Sequence, residues 1–378
     1  MLIDRTIAGT IKAKIAGEPR VFVVYGPRQS GKTVLLNSLL ENEKRKTLFL
    51  RGEDVQVQEV FSLPIFDKIA NFISDCELLV IDEAQKIENI GQSLKLLFDT
   101  RPMTILVSGS ASFDLANKLA EPMTGRATFF TLYPLAVSEL PRTSPNFGLT
   151  NKLEGLMRFG MYPKVHTLIT DKEKEEYLYD VINTYLYNDL LTFKEIKKPK
   201  KILDLLGLLA HQIGNEVNIH ELSQNLLLDW QTVEKYLDVL EKMFIVVNLR
   251  GLSRNLRKEI SKTSKYYFMD LGLRNAVIRN FNPVNLRGDV GPMFENFCVI
   301  ERMKSLANKR ESANWYFWRT YDQKEIDLVE ERGGKLKAFE FKYTKTKSRG
   351  SAAREFMTTY ENSSFLQINN DNLESFLS

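Results

Sequence analysis

The stretch Gly26-Pro27-Arg28-Gln29-Ser30-Gly31-Lys32-Thr33 has the residue types and spacing to hold phosphate. Its glycines let the backbone curl so that N–H groups point inward at phosphate oxygens. A helix starting at its end adds positive dipole to the same spot. Lys32 would reach the β- and γ-phosphates of ATP, and the Thr33 hydroxyl would hold Mg²⁺. The context fits. Arg20-Val21-Phe22-Val23-Val24-Tyr25 is an apolar run typical of a buried strand, and Val34-Leu35-Leu36 opens an apolar helical run. The ATP-contacting residues expected from this are Gly26, Pro27, Arg28, Gln29, Ser30, Gly31, Lys32, Thr33 and Val34.

A second set of chemical groups ends another apolar run, Leu78-Leu79-Val80-Ile81-Asp82-Glu83. Ligands bind at the carboxyl ends of buried parallel strands. Asp82 there would accept from the water shell of Mg²⁺, and Glu83 would orient and deprotonate an attacking water. Alone, the pattern is equally that of a strand followed by an acidic turn. The run ending Val107-Ser108-Gly109-Ser110 reads as a further strand. Ser110 either touches the γ-phosphate or the lytic water, or caps the following helix, and one residue can do both.

A third set lies near the other end. Gly291-Pro292-Met293-Phe294-Glu295 opens an amphipathic helix, Glu325-Ile326-Asp327-Leu328-Val329 reads as a strand, and Lys337-Ala338-Phe339-Glu340-Phe341-Lys342 alternates polar and apolar. Alternation puts Glu340 and Lys342 on one face, and Asp327 on the neighbouring strand can reach the same point. Glu295, Asp327 and Glu340 could then hold a second Mg²⁺, with Lys342 steadying phosphate charge or activating water. A surface Glu–Lys pattern on an ordinary strand is the plain alternative.

These groups need elements to place them. The first 140 residues read as alternating strands and helices, an α/β domain with a parallel sheet. Residues 141–200 read as a helical lid or linker. Residues 201–283 read as helix, short capped helix, helix with Asp229 as N-cap, and hairpin, the order of a winged helix-turn-helix. Residues 284–378 read as a small α/β domain. The hairpin carries Arg250, Arg254, Arg257, Lys258, Lys262 and Lys265 against Glu259. Such a run suits salt-sensitive contact with DNA phosphates. The preceding helix is mixed in charge, which argues against tight base reading and leaves protein docking open.

Composition sets the outer bounds. At 378 residues the chain is long enough for more than one core. Apolar content of 43% and charged content of 26% suit a soluble protein. No apolar run approaches the roughly 20 residues of a membrane span, and the start lacks a signal-peptide core. The two cysteines and three histidines form no metal-ligand spacing, and the chain reads as cytoplasmic.

The residues so far support a resemblance. Gly26 to Thr33, Asp82-Glu83, the Ser108-Gly109-Ser110 strand end and Gly125-Arg126 before Leu132-Tyr133-Pro134-Leu135 resemble the AAA+ ATPases. That resemblance implies that Arg126 is an arginine finger acting in trans, hence a homo-oligomer. Arg126 as a structural surface arginine is the competing reading. Phe159-Gly160-Met161-Tyr162-Pro163 resembles a Gly-Gly-Phe-Pro motif of one prokaryotic AAA+ branch, with Met161 departing from it. Glu295, Asp327 and Glu340-Phe341-Lys342 resemble the PD-(D/E)xK nuclease core. Together they resemble a prokaryotic AAA+ family with a C-terminal winged helix and a restriction-nuclease-like domain long known only as a domain of unknown function. This implies ATP hydrolysis coupled to DNA, possible on branched or damaged forms. Nucleotide-gated protein docking and ATP-regulated cleavage are the alternatives.

Overall fold

The computed structural model describes residues 3–110, 122–141, 148–190, 198–253, 263–344 and 350–377, with the backbone alone for 185–190. Arg254, Arg257, Lys258 and Lys262, the helix expected after Ser110, and the basic stretch 345–349 lie outside these residues. The chain divides into two compact units, Met1–Leu135 with Lys242–Phe244, and Ala136–Glu241 with Ile245–Ser378. The second unit therefore takes in all three segments that the sequence suggests as separate pieces.

The first unit runs α1 (Thr6–Ile15), β1 (Val21–Gly26), α2 (Lys32–Leu40), β2 (Thr47–Arg51), α3 (Val55–Phe61), α4 (Phe66–Ile73), β3 (Leu78–Asp82), α5 (Ile90–Thr100), β4 (Thr104–Ser110) and β5 (Ala127–Thr131). The strands form one parallel sheet in the order β2-β3-β4-β1-β5. Their apolar runs follow from burial on both faces. Val21, Val23, Leu79, Ile81, Ile105 and Val107 face one core. Phe22, Val24, Leu78, Val80 and Leu106 face the other, against Ile7 and Ile11 of α1 and Leu35 and Leu36 of α2. Each such side chain contributes about 1.5–3 kcal/mol when fully buried. The strand order matters for the site: β4 lies between β1 and β3, so its end sits between the glycine loop and Asp82.

The second unit runs α6 (Leu149–Phe159), α7 (Asp171–Leu190), α8 (Pro199–His211), β6 (Glu216–Val217), α9 (Ile219–Leu226), α10 (Trp230–Lys242), β7 (Val246–Gly251), β8 (Ser264–Phe268), α11 (Leu271–Val277), α12 (Val290–Asn308), β9 (Asn314–Arg319), β10 (Glu325–Arg332), β11 (Lys335–Phe341), α13 (Ser351–Thr359), β12 (Ser363–Ile368) and α14 (Leu373–Leu377). The helix, capped helix, helix and hairpin order is present. Asn218 accepts from His220 N at 2.9 Å, and Asp229 accepts from Thr232 N at 2.8 Å, which fixes the starts of α9 and α10.

The hairpin is not a free-standing wing. Its strand β7 runs parallel to β9, pairing Arg250 with Tyr316 and Gly251 with Phe317. One sheet, in the order β12-β11-β10-β9-β7-β8-β6, crosses the boundary expected near residue 283. Helix α12 braces it. Asn296 accepts from Phe268 N at 2.7 Å and donates to Phe268 O at 2.8 Å, satisfying both main-chain polar groups of that buried residue of β8.

The Phe159-to-Pro163 motif also has a physical reason. The buried Asp270 carboxylate accepts from Met161 N at 2.6 Å and Leu273 N at 3.1 Å. Gly160 has φ 74°, and a Cβ there would lie 2.1 Å from Asp270 Oδ1. Glycine is the residue this junction accommodates.

Candidate active site

The glycine loop leaves β1 at Gly26 and enters α2 through Gly31, whose φ of 95° is left-handed. Lys32 is buried at 4% exposure, and its Nζ donates to the carbonyls of Gly26 at 3.1 Å and Pro27 at 2.9 Å. Its ammonium is thus held over the loop that should receive phosphate. Arg5, just before α1, ties the loop from outside. It donates to Ser30 O at 2.7 Å and Tyr133 O at 2.6 Å.

Thr33 and Asp82 meet across the sheet end. Thr33 Oγ1 donates to Asp82 Oδ2 at 2.7 Å. Asp82, 4% exposed, also accepts from Ser108 Oγ and from Glu83 N at 3.2 Å. The oxygen-only pair of Thr33 and Asp82 suits a hard cation such as Mg²⁺. Glu83 turns away from the strand with φ 53° and opens the short turn Ala84–Lys86. This puts Gln85 beside it: Gln85 Nε2 donates to Glu83 Oε2 and to Ser110 Oγ, the latter at 2.8 Å. Ser110 stands opposite Gly26 in the β1/β4 register. Lys32, Thr33, Asp82, Glu83 and Ser110 therefore converge at one sheet end.

Gln85 and Arg5 belong to the same network and escape sequence reasoning, and Ser108, read only as part of the strand end, is the serine that reaches Asp82. Ser108 and Ser110 share a buried strand without polar alternation, and register alone assigns one to Asp82. Gln85 directly follows the carboxylates, and its amide was the available signal.

Arg126 does not join this group. It sits beside the first residue of β5 and takes Val21 N on its carbonyl at 3.1 Å. From Val21 to Gly26 the strand spans about 17 Å. Its guanidinium pairs side-on with Asp99, Nε to Oδ1 at 2.5 Å and Nη2 to Oδ2 at 3.0 Å. Such a residue does not reach the loop of its own chain.

The C-terminal carboxylates Glu295, Asp327 and Glu340 lie on α12, β10 and β11. Asp327 Oδ2 accepts from Phe341 N at 2.8 Å, and Lys342 pairs with Glu340 at 3.1 Å, so the strand alternation is as expected. Glu295, however, is engaged by Tyr267 Oη at 2.6 Å and Lys265 Nζ at 3.2 Å. Among the described residues, no group of three or more His, Cys, Asp or Glu side chains gathers closely enough to hold a metal. The carboxylate set Glu295, Asp327 and Glu340 does not fit Mg²⁺ in this arrangement. Burial, then the charge of Glu295, raises Asp327 to about 7.

Lys265 requires a correction too. It does not lie on a surface stripe facing DNA. Strand β8 is internal to the sheet, and Lys265 is 1% exposed, paired with Glu295 and with Glu325 at 2.5 Å. Burial works against its charge, but Glu295, Asp327 and Glu325 raise its pKa above the ordinary lysine value. Arg250, by contrast, is exposed.

Residues 18–141 match the family model described as an AAA domain. Residues 150–284 and 290–373 match two domains of unknown function, DUF8612 and DUF4143. The chain is 27% identical over 358 residues to the uncharacterized protein Rv2008c of Mycobacterium tuberculosis, covering 94% of this chain and 77% of that protein. It is 26% identical over 304 residues to the uncharacterized protein MJ1544 of Methanocaldococcus jannaschii, covering 75% and 66%. Among solved structures, it resembles the Walker-type ATPase PABY2304 of Pyrococcus abyssi, with a TM-score of 0.51 and 15% identity, covering 73% of this chain and 96% of that one. The loop-bearing part thus matches an AAA domain model and shares the fold of a Walker-type ATPase. No helix among the described residues is long and apolar enough to cross a membrane.

Proposed function

We propose that this chain hydrolyses ATP at the Lys32–Thr33–Asp82–Glu83 site and uses the nucleotide cycle to engage DNA. The observation that carries the first half is the 2.7 Å bond from Thr33 to Asp82, with Glu83 adjoining. It joins the phosphate loop to the strand-end carboxylates. Loop N–H groups and Lys32 bind the β- and γ-phosphates. Thr33 and Asp82 would hold Mg²⁺, whose charge neutralises the phosphate oxygens when bound. Glu83 takes the proton of the attacking water. Arg126, too far from its own loop, acts on a neighbouring subunit's nucleotide, so the working form is a homo-oligomer.

The DNA half rests on charge. Arg250, Arg254, Arg257, Lys258 and Lys262 face only Glu259 in that stretch of sequence. Lys265 is not part of this surface. Metal-dependent cleavage is not part of the proposal, because no group of three or more such side chains among the described residues gathers closely enough to hold the metal it needs.

The test is ATP turnover by wild type and Lys32→Ala, with and without single-stranded, duplex and four-way DNA. Turnover lost in Lys32→Ala and stimulated by at least one DNA form supports both halves. Turnover indifferent to every form, with Glu83→Gln trapping a protein partner under ATP, replaces DNA with protein docking.

A further inference from the structure

Gln85 stands out at the site. Its Nε2 has two acceptors, Glu83 Oε2 and Ser110 Oγ. Its Oε1 is buried and has no hydrogen-bond partner among the described residues. A buried amide oxygen without a donor is unfavourable by about 1–3 kcal/mol. Here it sits beside the carboxylate assigned to the lytic water. The amide orientation follows from the neighbours, since Glu83 Oε2 can only accept from the nitrogen side.

The chemistry of hydrolysis needs what this arrangement offers. An attacking water must present a lone pair to the γ-phosphorus. That requires acceptors for both of its protons. Glu83 supplies one through its second carboxylate oxygen. Resting on the ATPase reading above, we propose that Gln85 Oε1 supplies the other, making Gln85 a water-positioning residue. The water oxygen forms the new bond to the γ-phosphorus as the bond to the β,γ-bridging oxygen breaks. ADP leaves with that electron pair. The proton accepted by Glu83 passes on to the phosphate product. Ser110 then acts at one remove, by fixing the Gln85 amide in line with Gly26 at the start of the loop.

This differs from a clasp that merely holds the turn. A clasp would be satisfied by the donors of Nε2; water positioning needs the acceptor as well. The test is steady-state ATP hydrolysis by the full chain as wild type, Gln85→Ala and Gln85→Glu, with affinity for a fluorescent ATP analogue measured alongside. Gln85→Ala should lower kcat about 10–100-fold, on the scale of one hydrogen bond lost in the transition state, with KM and analogue affinity changed less than twofold. Gln85→Glu, nearly isosteric and suited to folding, keeps an acceptor oxygen but loses the Nε2 donor to Glu83 and Ser110. It should retain more kcat than Gln85→Ala, with analogue affinity again within twofold. An active wild type whose kcat survives Gln85→Ala within twofold, or falls as far in Gln85→Glu as in Gln85→Ala, overturns the water assignment alone. A wild type that turns over no ATP overturns the ATPase reading and this inference together.

Discussion

At the scale of single residues, the site depends on oxygen atoms that touch Asp82. Ser108 Oγ and Thr33 Oγ1 donate to its two different oxygens. Ser108→Ala removes one donor while leaving the phosphate loop untouched. The Mg²⁺ concentration for half-maximal turnover should rise several-fold, with metal-free nucleotide affinity unchanged, as expected when a ligand's orienting partner is lost. Lys265 makes a contrasting case. Lys265→Met leaves Glu295 and Glu325 without their buried cation and should destabilise the fold by about 3–5 kcal/mol. It should not alter the salt slope of DNA binding, whereas Arg254→Ala should reduce that slope by about one. Urea midpoints and salt titrations separate the two. Sequence alone assigned Lys265 to the basic run because its preceding neighbours are basic. Its partners lie on α12 and β10, and no local pattern announces them.

At the scale of elements, junctions set the stability. Gly160→Ala must find room for a Cβ 2.1 Å from Asp270 Oδ1 at a positive φ. A loss of at least ~2 kcal/mol in denaturant unfolding is expected, from left-handed strain plus displacement of a buried carboxylate. A nearby turn carries a pH dependence. Burial, then the charges of Lys174 and Lys304, pushes His166 down to about 4. The unfolded chain takes up that proton near 6.5. Between those values the unfolded state binds more protons, so stability falls as pH drops through the window. By pH 4 the loss attributable to His166 should reach up to ~3 kcal/mol, and His166→Leu should abolish that difference in paired urea titrations at pH 7 and 4.5.

The elements of the first unit were legible because each physical signal is local: apolar runs for buried parallel strands, glycines for the loop, carboxylates at a strand end. The β4 register was not, because it is set by pairing with β1 and β3. In the second unit, the caps at Asn218 and Asp229 were legible from adjacent residues. The β7–β9 pairing joins segments some sixty residues apart by backbone bonds that carry little side-chain signature.

For the whole molecule, Arg126 decides whether the chain works alone. If it completes a neighbour's site, Arg126→Ala and Glu83→Gln are each inactive, yet mixing them should restore part of the turnover, since some interfaces pair an intact Glu83 with an intact Arg126. Arg126→Ala alone should lower kcat by orders of magnitude, the usual effect of a lost finger. Mixed samples no better than their separate components would show that the arginine serves only its pair with Asp99.

The β7–β9 pairing has a mechanical consequence. It carries the register pairs Arg250–Tyr316 and Gly251–Phe317, extended by Leu252 N to Phe317 O at 2.7 Å, while β10 and β11 share a ladder from Leu328 to Arg332. The sheet is thus a plate with a scored line, and its two sides fall within the separately matched residues 150–284 and 290–373. Strain applied at the hairpin would crease the plate along that line before it tore the longer ladders. Leu252 should exchange its amide hydrogen faster than the β10–β11 amides.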